Sequence, residues 1–286
     1  MKTNAFGYRR VTSARQAVEL AQELGEDARF IAGGQSLLAS LNFRLDEPGV
    51  LIDLGAIDAL RGIACMAEAI TIGALTRHAD VLRSPKIARD LPLIARAIRE
   101  VAHPAIRNRG TFGGSLALAD PAAEMPACAL ALDARMSILG PSGERVVPAD
   151  DFFLGLYETA LQPGELLTGA TIPLPEAGSR FGFGELARRK GDYAMCGLAM
   201  MLGPDRAGAP QWARVVFFGL SDRPVRSTAA EAAILAGASP ADSAAVAADG
   251  IEIYGDLNAG ETTKRHYAGV LLRRELERLT QEVTAP

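Results

Sequence analysis

"IAGGQSLLASLNFRL", residues 31–45, places Gly33, Gly34 and Ser36 between an apolar pair and a leucine-rich run. A plain turn needs one glycine, rarely two. The chain repeats the device at "RNRGTFGGSLALADPAAEMP", residues 107–126, with Gly113, Gly114 and Ser115. Consecutive glycines let the backbone bend so that several N–H groups converge on one anion, with no Cβ in its path. Ser36, Ser115 and Thr111 add hydroxyl donors. A diphosphate has enough oxygens to occupy both loops. One such loop alone reads as a tight turn; two with similar continuations shift the reading modestly toward a ligand. Neither loop is G-x-G-x-x-G, and no Gly-Lys-Ser/Thr follows, so these are not Rossmann or Walker loops.

Outward from the first loop, "SARQAVELAQELG" reads as a helix. Ser13 and Gln16 have capping-box spacing, Ala17, Val18, Leu20, Ala21 and Leu24 are its apolar positions, and Gly25 can end it. "ARFIAGG" reads as a buried strand and "VLIDLG" as a second, which predicts a small parallel α/β part over residues 1–55. Residues 56–176 read as a second α+β part, with strands at "AITIGAL", "MSILG", "RVV" and "LLTGATIPLP" and a Pro-Ser-Gly turn between the second and third. From 177 to 286 a separate unit is expected. It has an antiparallel set ("RFGFGELARR", "CGLAMML", "QWARVVFFGL"), then an Ala-rich helical remainder. Its last helix carries Tyr267, Val270, Leu271 and Leu279 near one face.

Composition removes several function classes. The 286-residue chain is 49% apolar and 22% charged with a net charge of −4, and no basic run is interleaved with aromatics, so nucleic acid is not an expected partner. "MKTNAFGYRRV" lacks the apolar segment of a signal peptide, and no apolar stretch approaches the roughly 18 residues of a membrane span. A cytoplasmic location is the default expectation. Cys65, Cys128 and Cys196 are widely separated with no C-x-x-C, and His78, His103 and His266 are equally scattered, so no metal site and no cluster site are expected. No acid–base or nucleophile constellation stands out.

In "ADPAAEMPACALAL" Asp120 reads as an N-cap with Pro121 at the first helical position, a role that alone would account for it. Glu124, one turn in, is either a solvated first-turn acid favoured by the helix dipole or an acceptor for ligand hydroxyls. In "KGDYAMCG", residues 190–197, Tyr193 by itself reads as the start of a strand packing in the C-terminal core.

"AGGQSLL", "VLIDL", "IRNRGTFGGS", "ADPAAEMP", "PGELL" and "KGDYA" together, in this order across the chain, resemble the flavoprotein medium subunit of the molybdenum hydroxylases, nearest to the aerobic carbon monoxide dehydrogenase type. The resemblance implies an α+β fold. A two-part FAD-binding domain of the vanillyl-alcohol-oxidase and p-cresol-methylhydroxylase type, residues 1–176, would precede a C-terminal domain of a small antiparallel sheet with helices, residues 177–286. It implies non-covalent FAD. Ala32, Gly33, Gly34, Gln35, Ser36 and Leu37 from the first loop, with Thr111, Gly113, Gly114 and Ser115 from the second, would lie about the diphosphate. Glu124 would lie near the ribityl chain, Leu166 or Leu167 near the adenine or flavin, and Lys190 and Tyr193 around the flavin; Asp120 is also counted among the cofactor-binding residues.

The resemblance further implies an electron-transfer subunit, an oxidoreductase component with no catalytic residue of its own. A large partner would carry the molybdenum–pterin cofactor and a small partner two-iron two-sulfur clusters, in a dimer of heterotrimers. Two positions depart from the family pattern: Gln35 stands where histidine is usual, and Ser115 where asparagine is common. Both can still hydrogen-bond, and both leave the substrate of the complex open. The alternatives are a stand-alone FAD oxidoreductase acting directly on a small organic substrate, and a non-catalytic nucleotide-binding scaffold.

Overall fold

The computed structural model describes residues 2–206 and 209–284. Its first unit is a three-stranded, all-parallel sheet with Val50–Asp53 between Gly7–Arg10 and Ala28–Ile31. The helix Ala14–Leu24 lays Ala17, Val18 and Ala21 over it, in a core shared with Ile52, Leu54, Ile57 and Leu75. Ser13 accepts the Gln16 N–H, and the Gln16 side-chain oxygen accepts the Thr12 N–H, one residue outside the reciprocal box. Gly25, at φ 61, closes the helix. The edge strand Gly7–Arg10 was not expected from sequence: all four residues are exposed, so no alternation marks it.

A five-stranded antiparallel sheet follows, in the order Ile63–Cys65, Ala69–Gly73, Leu166–Pro173, Arg135–Gly140, Gly143–Pro148. The last two strands join through Pro141 and Ser142, with Gly143 at φ 120. The helix Glu124–Ala131 is buried from Met125 through Ala131. A helix apolar all round must be covered all round. It packs against the helix Pro92–Ala97 and the strands Ala194–Leu202 and Ala213–Phe218.

Those strands belong to a four-stranded antiparallel sheet, Arg180–Ala187, Ala194–Leu202, Ala213–Phe218, Val225–Arg226. One face carries Leu198, Met200, Val215 and Phe217 against the helices Thr228–Leu235, Pro240–Ala245 and Glu261–Thr284. The other carries Ala199, Met201, Val216 and Phe218 into the core around Glu124–Ala131. Burial on both faces explains why "CGLAMML" is apolar throughout rather than alternating.

Two helical expectations change. The Ala-rich stretch splits at Gly237, φ 74, and no helix runs from Val246 to Gly260. The buried stripe of the last helix is Lys264, Ala268, Leu271, Leu272, Leu276 and Leu279, with Tyr267 packed at its edge and Val270 only half-buried. Lys264 was hidden by its charge; its ammonium donates to Gly219 O at 2.7 Å and pairs with Asp256 at 2.8 Å. Among the described residues no helix is long and apolar enough to cross a membrane.

Candidate functional site

The two glycine loops meet. A Cβ on Gly33 would run into the carbonyl oxygen of Arg109 and lie 2.9 Å from the Gly110 Cα, so only glycine permits the approach. Gly34 has φ +72, a second and separate reason for glycine. The Gly34 and Ser36 carbonyls accept from Leu38 and Ser40, starting the helix Leu37–Phe43, and Gln35 Nε2 donates to Gly33 O at 3.1 Å. Among the described residues, the backbone N–H groups of Gly33, Gly34, Gln35 and Ser36 donate to no protein acceptor. Ser36 makes no side-chain cap bond.

The second loop is built differently. Phe112 N–H donates to Thr76 O, Gly113 N–H to Ala74 O, Gly114 N–H to Thr111 Oγ1 at 3.1 Å and Ser115 N–H to Thr111 O. Thr111 is thus the N-cap of the helix Phe112–Leu118, and Gly113 is glycine because a Cβ would strike Ala74. The loop is held by its own amides and offers the Ser115 hydroxyl. Beneath it His78, only 4% exposed, donates its backbone N–H to Gly110 O. Its Nδ1 is buried without a partner. Burial, then the positive charge of Arg107, lowers the imidazole pKa to about 4, so the ring is neutral.

Asp120 is not the N-cap that its sequence context predicts. The helix begins at Glu124 with Ala123 at the cap position. Asp120 Oδ1 instead accepts the Ala122 N–H at 2.9 Å, an Asx turn, and Oδ2 accepts the Tyr157 hydroxyl at 3.4 Å. Pro121 O accepts the Gly219 N–H at 2.7 Å, which ties this turn to the C-terminal sheet and delays the helix. Burial raises the Asp120 pKa; burial and the Asp120 charge push the Tyr157 hydroxyl to about 12.

Glu124 is half-buried at the seam between the units. Burial raises its pKa to about 7, with Asp120 and Glu100 adding repulsion and Arg107 opposing it. Tyr193 is 71% exposed and precedes the strand that starts at Ala194, so it is not a C-terminal core residue. Partial desolvation and the charges of Asp120 and Glu124 raise its hydroxyl pKa, which sets it on their side of the molecule. Its loop is anchored by Gly191, φ +85, where a Cβ would lie 2.8 Å from Ala102 O. Lys190 is exposed. Leu166 and Leu167 are each 4% exposed and enter separate cores, Leu166 under the first sheet and Leu167 in the central one. One neighbour escaped the sequence reading. Glu185 has its pKa raised to about 8 by burial, then by Glu124 and Glu100.

Residues 4–175 match the family described as the FAD binding domain in molybdopterin dehydrogenase, and residues 181–279 match the CO dehydrogenase flavoprotein C-terminal domain. The chain belongs to this flavoprotein family. It is 41% identical over 231 residues to the 6-hydroxypseudooxynicotine dehydrogenase complex subunit alpha of Paenarthrobacter nicotinovorans, covering 81% of this chain and 78% of that one. It is 37% identical over 282 residues to the carbon monoxide dehydrogenase medium chain of Afipia carboxidovorans, covering 97% and 98%. A solved carbon monoxide dehydrogenase from Hydrogenophaga pseudoflava, lacking the Mo-pyranopterin moiety of its cofactor, superposes with a TM-score of 0.94 at 35% identity over 98% of this chain and 99% of that one. The flavoprotein fold is therefore shared almost end to end. The first loop fits an FAD-binding family on its own geometry: it presents four amides without protein acceptors, where a glycine admits the second loop.

Proposed function

We propose that this chain is the FAD-carrying medium subunit of a molybdenum hydroxylase, taking electrons from two-iron two-sulfur clusters on a small partner and passing them to an external acceptor. A large partner would hold the molybdenum–pterin cofactor and the hydroxylation chemistry, and two copies of each chain would assemble. Residues 1–176 would bind FAD, with residues 177–286 closing over it. The observation that carries the reading is the first loop: Gly33, Gly34, Gln35 and Ser36 present unpaired amides at its junction with the second loop. Oriented N–H groups of this kind suit a diphosphate.

Bound FAD would supply a carrier that accepts electrons singly and delivers them in pairs. The residues do the holding. The loop amides, with Ala32 and Leu37 flanking them and the hydroxyls of Ser36, Thr111 and Ser115, would grip the diphosphate without a covalent bond. Glu124 would accept from ribityl hydroxyls, and Asp120 would fix the turn ahead of it through Ala122. Gly113 and Gly114 keep the second loop packed. Leu166 or Leu167 would pack behind the adenine or flavin, and Tyr193 with Lys190 would cover the flavin face. Gln35, tied to Gly33 O, would hold the loop where relatives have histidine.

The test is native purification followed by acid precipitation. A complex of three chain types whose acid supernatant is yellow supports the reading. A free monomer, a colourless protein, or colour that stays in the pellet overturns the assembly, the cofactor or the non-covalent attachment respectively. A lone holoprotein that oxidises an organic substrate points to the stand-alone oxidoreductase instead.

A further inference from the structure

Along the strand Arg180–Ala187, alternate residues face opposite sides. Gly182 and Gly184 face the long helix, where Glu275 and Leu271 lie within contact of them. Phe181 and Phe183 face the other way and pack against the central core, with Phe183 stacked on Phe218 at 5.9 Å. The next residue in that inward row is Glu185. A carboxyl group at this place is an anomaly, because its Oε2 is buried and no donor among the described residues reaches it. An anion on that oxygen would have no hydrogen bond to stabilise it, although the side chain as a whole is half-buried.

The surrounding charges do not supply that stabilisation. Glu100, at the end of the segment that follows Pro92–Ala97, and Glu124, at the start of its helix, both act on Glu185 and both repel a negative charge. Arg96 and Arg278 meet the strand at Phe181 O, at 2.5 and 2.8 Å, and Glu275 lies on the opposite face. Arg107 gives its Nη1 to Val101 O and Ala102 O, and its influence is felt at Glu124. On the neighbouring strand the partner of Glu185 is Gly197, which has no side chain to offer.

We propose that Glu185 is a positioning residue of the cofactor cleft: as a neutral carboxyl group it adds no further negative charge to those of Asp120 and Glu100 around Glu124, and its ionisation weakens FAD retention. The inference rests on the FAD reading above. It follows from a carboxyl group whose Oε2 is buried without a donor, in the inward row of its strand and within electrostatic reach of the acid expected to meet the ligand's hydroxyls. Ionising it adds repulsion toward both Glu124 and a ligand that already carries a diphosphate. The upward displacement of its titration to about 8 agrees.

FAD affinity of the deflavinated full chain, measured by flavin fluorescence from pH 6.5 to 8.5, decides the matter. For the natural chain the dissociation constant is expected to rise about threefold between pH 7.5 and 8.5, the most that one group titrating near 8 can give. Glu185→Gln, neutral at every pH and of the same shape, should bind to within about threefold of the natural chain at pH 6.5 and lack the rise between pH 7.5 and 8.5. Glu185→Ala should bind about tenfold more weakly at pH 6.5 through lost packing. If Glu185→Gln and the natural chain share one pH profile, or the natural chain's profile is flat, the inference is overturned while FAD binding stands. If the natural chain binds no FAD at any pH, the cofactor reading fails and the inference fails with it.

Discussion

The two glycine loops look alike in sequence and differ in what they do with their backbone. The first leaves the N–H groups of Gly33, Gly34, Gln35 and Ser36 without protein acceptors. The second uses Phe112, Gly113, Gly114 and Ser115 to lock itself to Ala74, Thr76 and Thr111. One is arranged as a receptor and the other as a brace that the receptor leans on, with Gly33 touching the Arg109–Gly110 backbone. A Gly-Gly-x-Ser or Gly-Gly-Ser string thus reports a need for small residues. It does not report whether the need comes from a ligand or from packing.

The largest effect should come from breaking the contact between the loops. Gly33→Val places a side chain in the Arg109 carbonyl, a backbone atom that cannot swing aside. Protein purified with this change should carry no FAD and lose about 1–3 kcal/mol of stability, as overpacked sites do. Gly113→Val meets Ala74 and should cost similar stability, yet retain part of its FAD because the free amides are elsewhere. Flavin content against urea midpoint separates the two. Equal flavin loss at equal stability would show that the loops are equivalent after all.

The brace also titrates, whereas among the described residues no ionisable side chain supports the first loop in the same way. His78 has a folded pKa of about 4 against an ordinary value near 6.5, so the folded state binds fewer protons than the unfolded one. Its contribution is complete above about pH 6.5 and is lost as pH falls toward 4. That is on the order of 1 kcal/mol for each pH unit in the window. Glu124 has the opposite sign: its folded pKa of about 7 lies above the ordinary 4.5, so stability falls as pH rises between those values. The melting-temperature advantage of the natural chain over His78→Gln should therefore shrink steadily from pH 6.5 to 4.5. A constant difference would mean that His78 is not the buried neutral ring described.

A smaller effect separates the two hydroxyls. Thr111→Val removes an N-cap bond to Gly114 N–H and should cost about 1 kcal/mol in unfolding. Ser36→Ala removes no bond within its helix, so its unfolding midpoint should stay put while FAD affinity falls roughly tenfold, the worth of one hydrogen bond to a charged group. If Ser36→Ala is destabilised and Thr111→Val is not, the assignment of receptor and brace is reversed.

These contrasts show how much was legible beforehand. The three sheets were visible because strands such as "VLID" and "LLTGATIP" carry buried apolar runs, and Ser13 and Gly25 punctuated the first helix. The edge strand Gly7–Arg10 was not, since pairing to Val50–Asp53 rather than its own side chains makes it a strand. Asp120 misled because Asp-Pro is the usual opening of a helix, and only the tie from Gly219 to Pro121 O, across the seam, moves the start to Glu124. Glu185 could have been found by extending the alternation Phe181, Phe183 one step further. Nothing local in the sequence says that this row faces inward.

The smallest change in stability should come from Tyr193, and it sharpens the comparison by leaving both loops intact. At 71% exposed, its ring has little core packing to lose, so Tyr193→Ala should move the unfolding free energy by no more than about 0.5 kcal/mol, as surface changes do. FAD content should stay near that of the natural chain, because the amides of residues 33–36 and the brace are untouched. The flavin itself should respond. An aromatic ring that covers one flat face and keeps its hydroxyl toward Asp120 and Glu124 excludes water and small acceptors from that face. Its removal should shift the visible flavin spectrum and speed reoxidation by oxygen. Tyr193→Phe, which keeps the cover and loses only the hydroxyl, should fall between. Stopped-flow reoxidation of the natural chain and the two variants supplies the ranking. Identical spectra and rates in all three would remove Tyr193 from the flavin site.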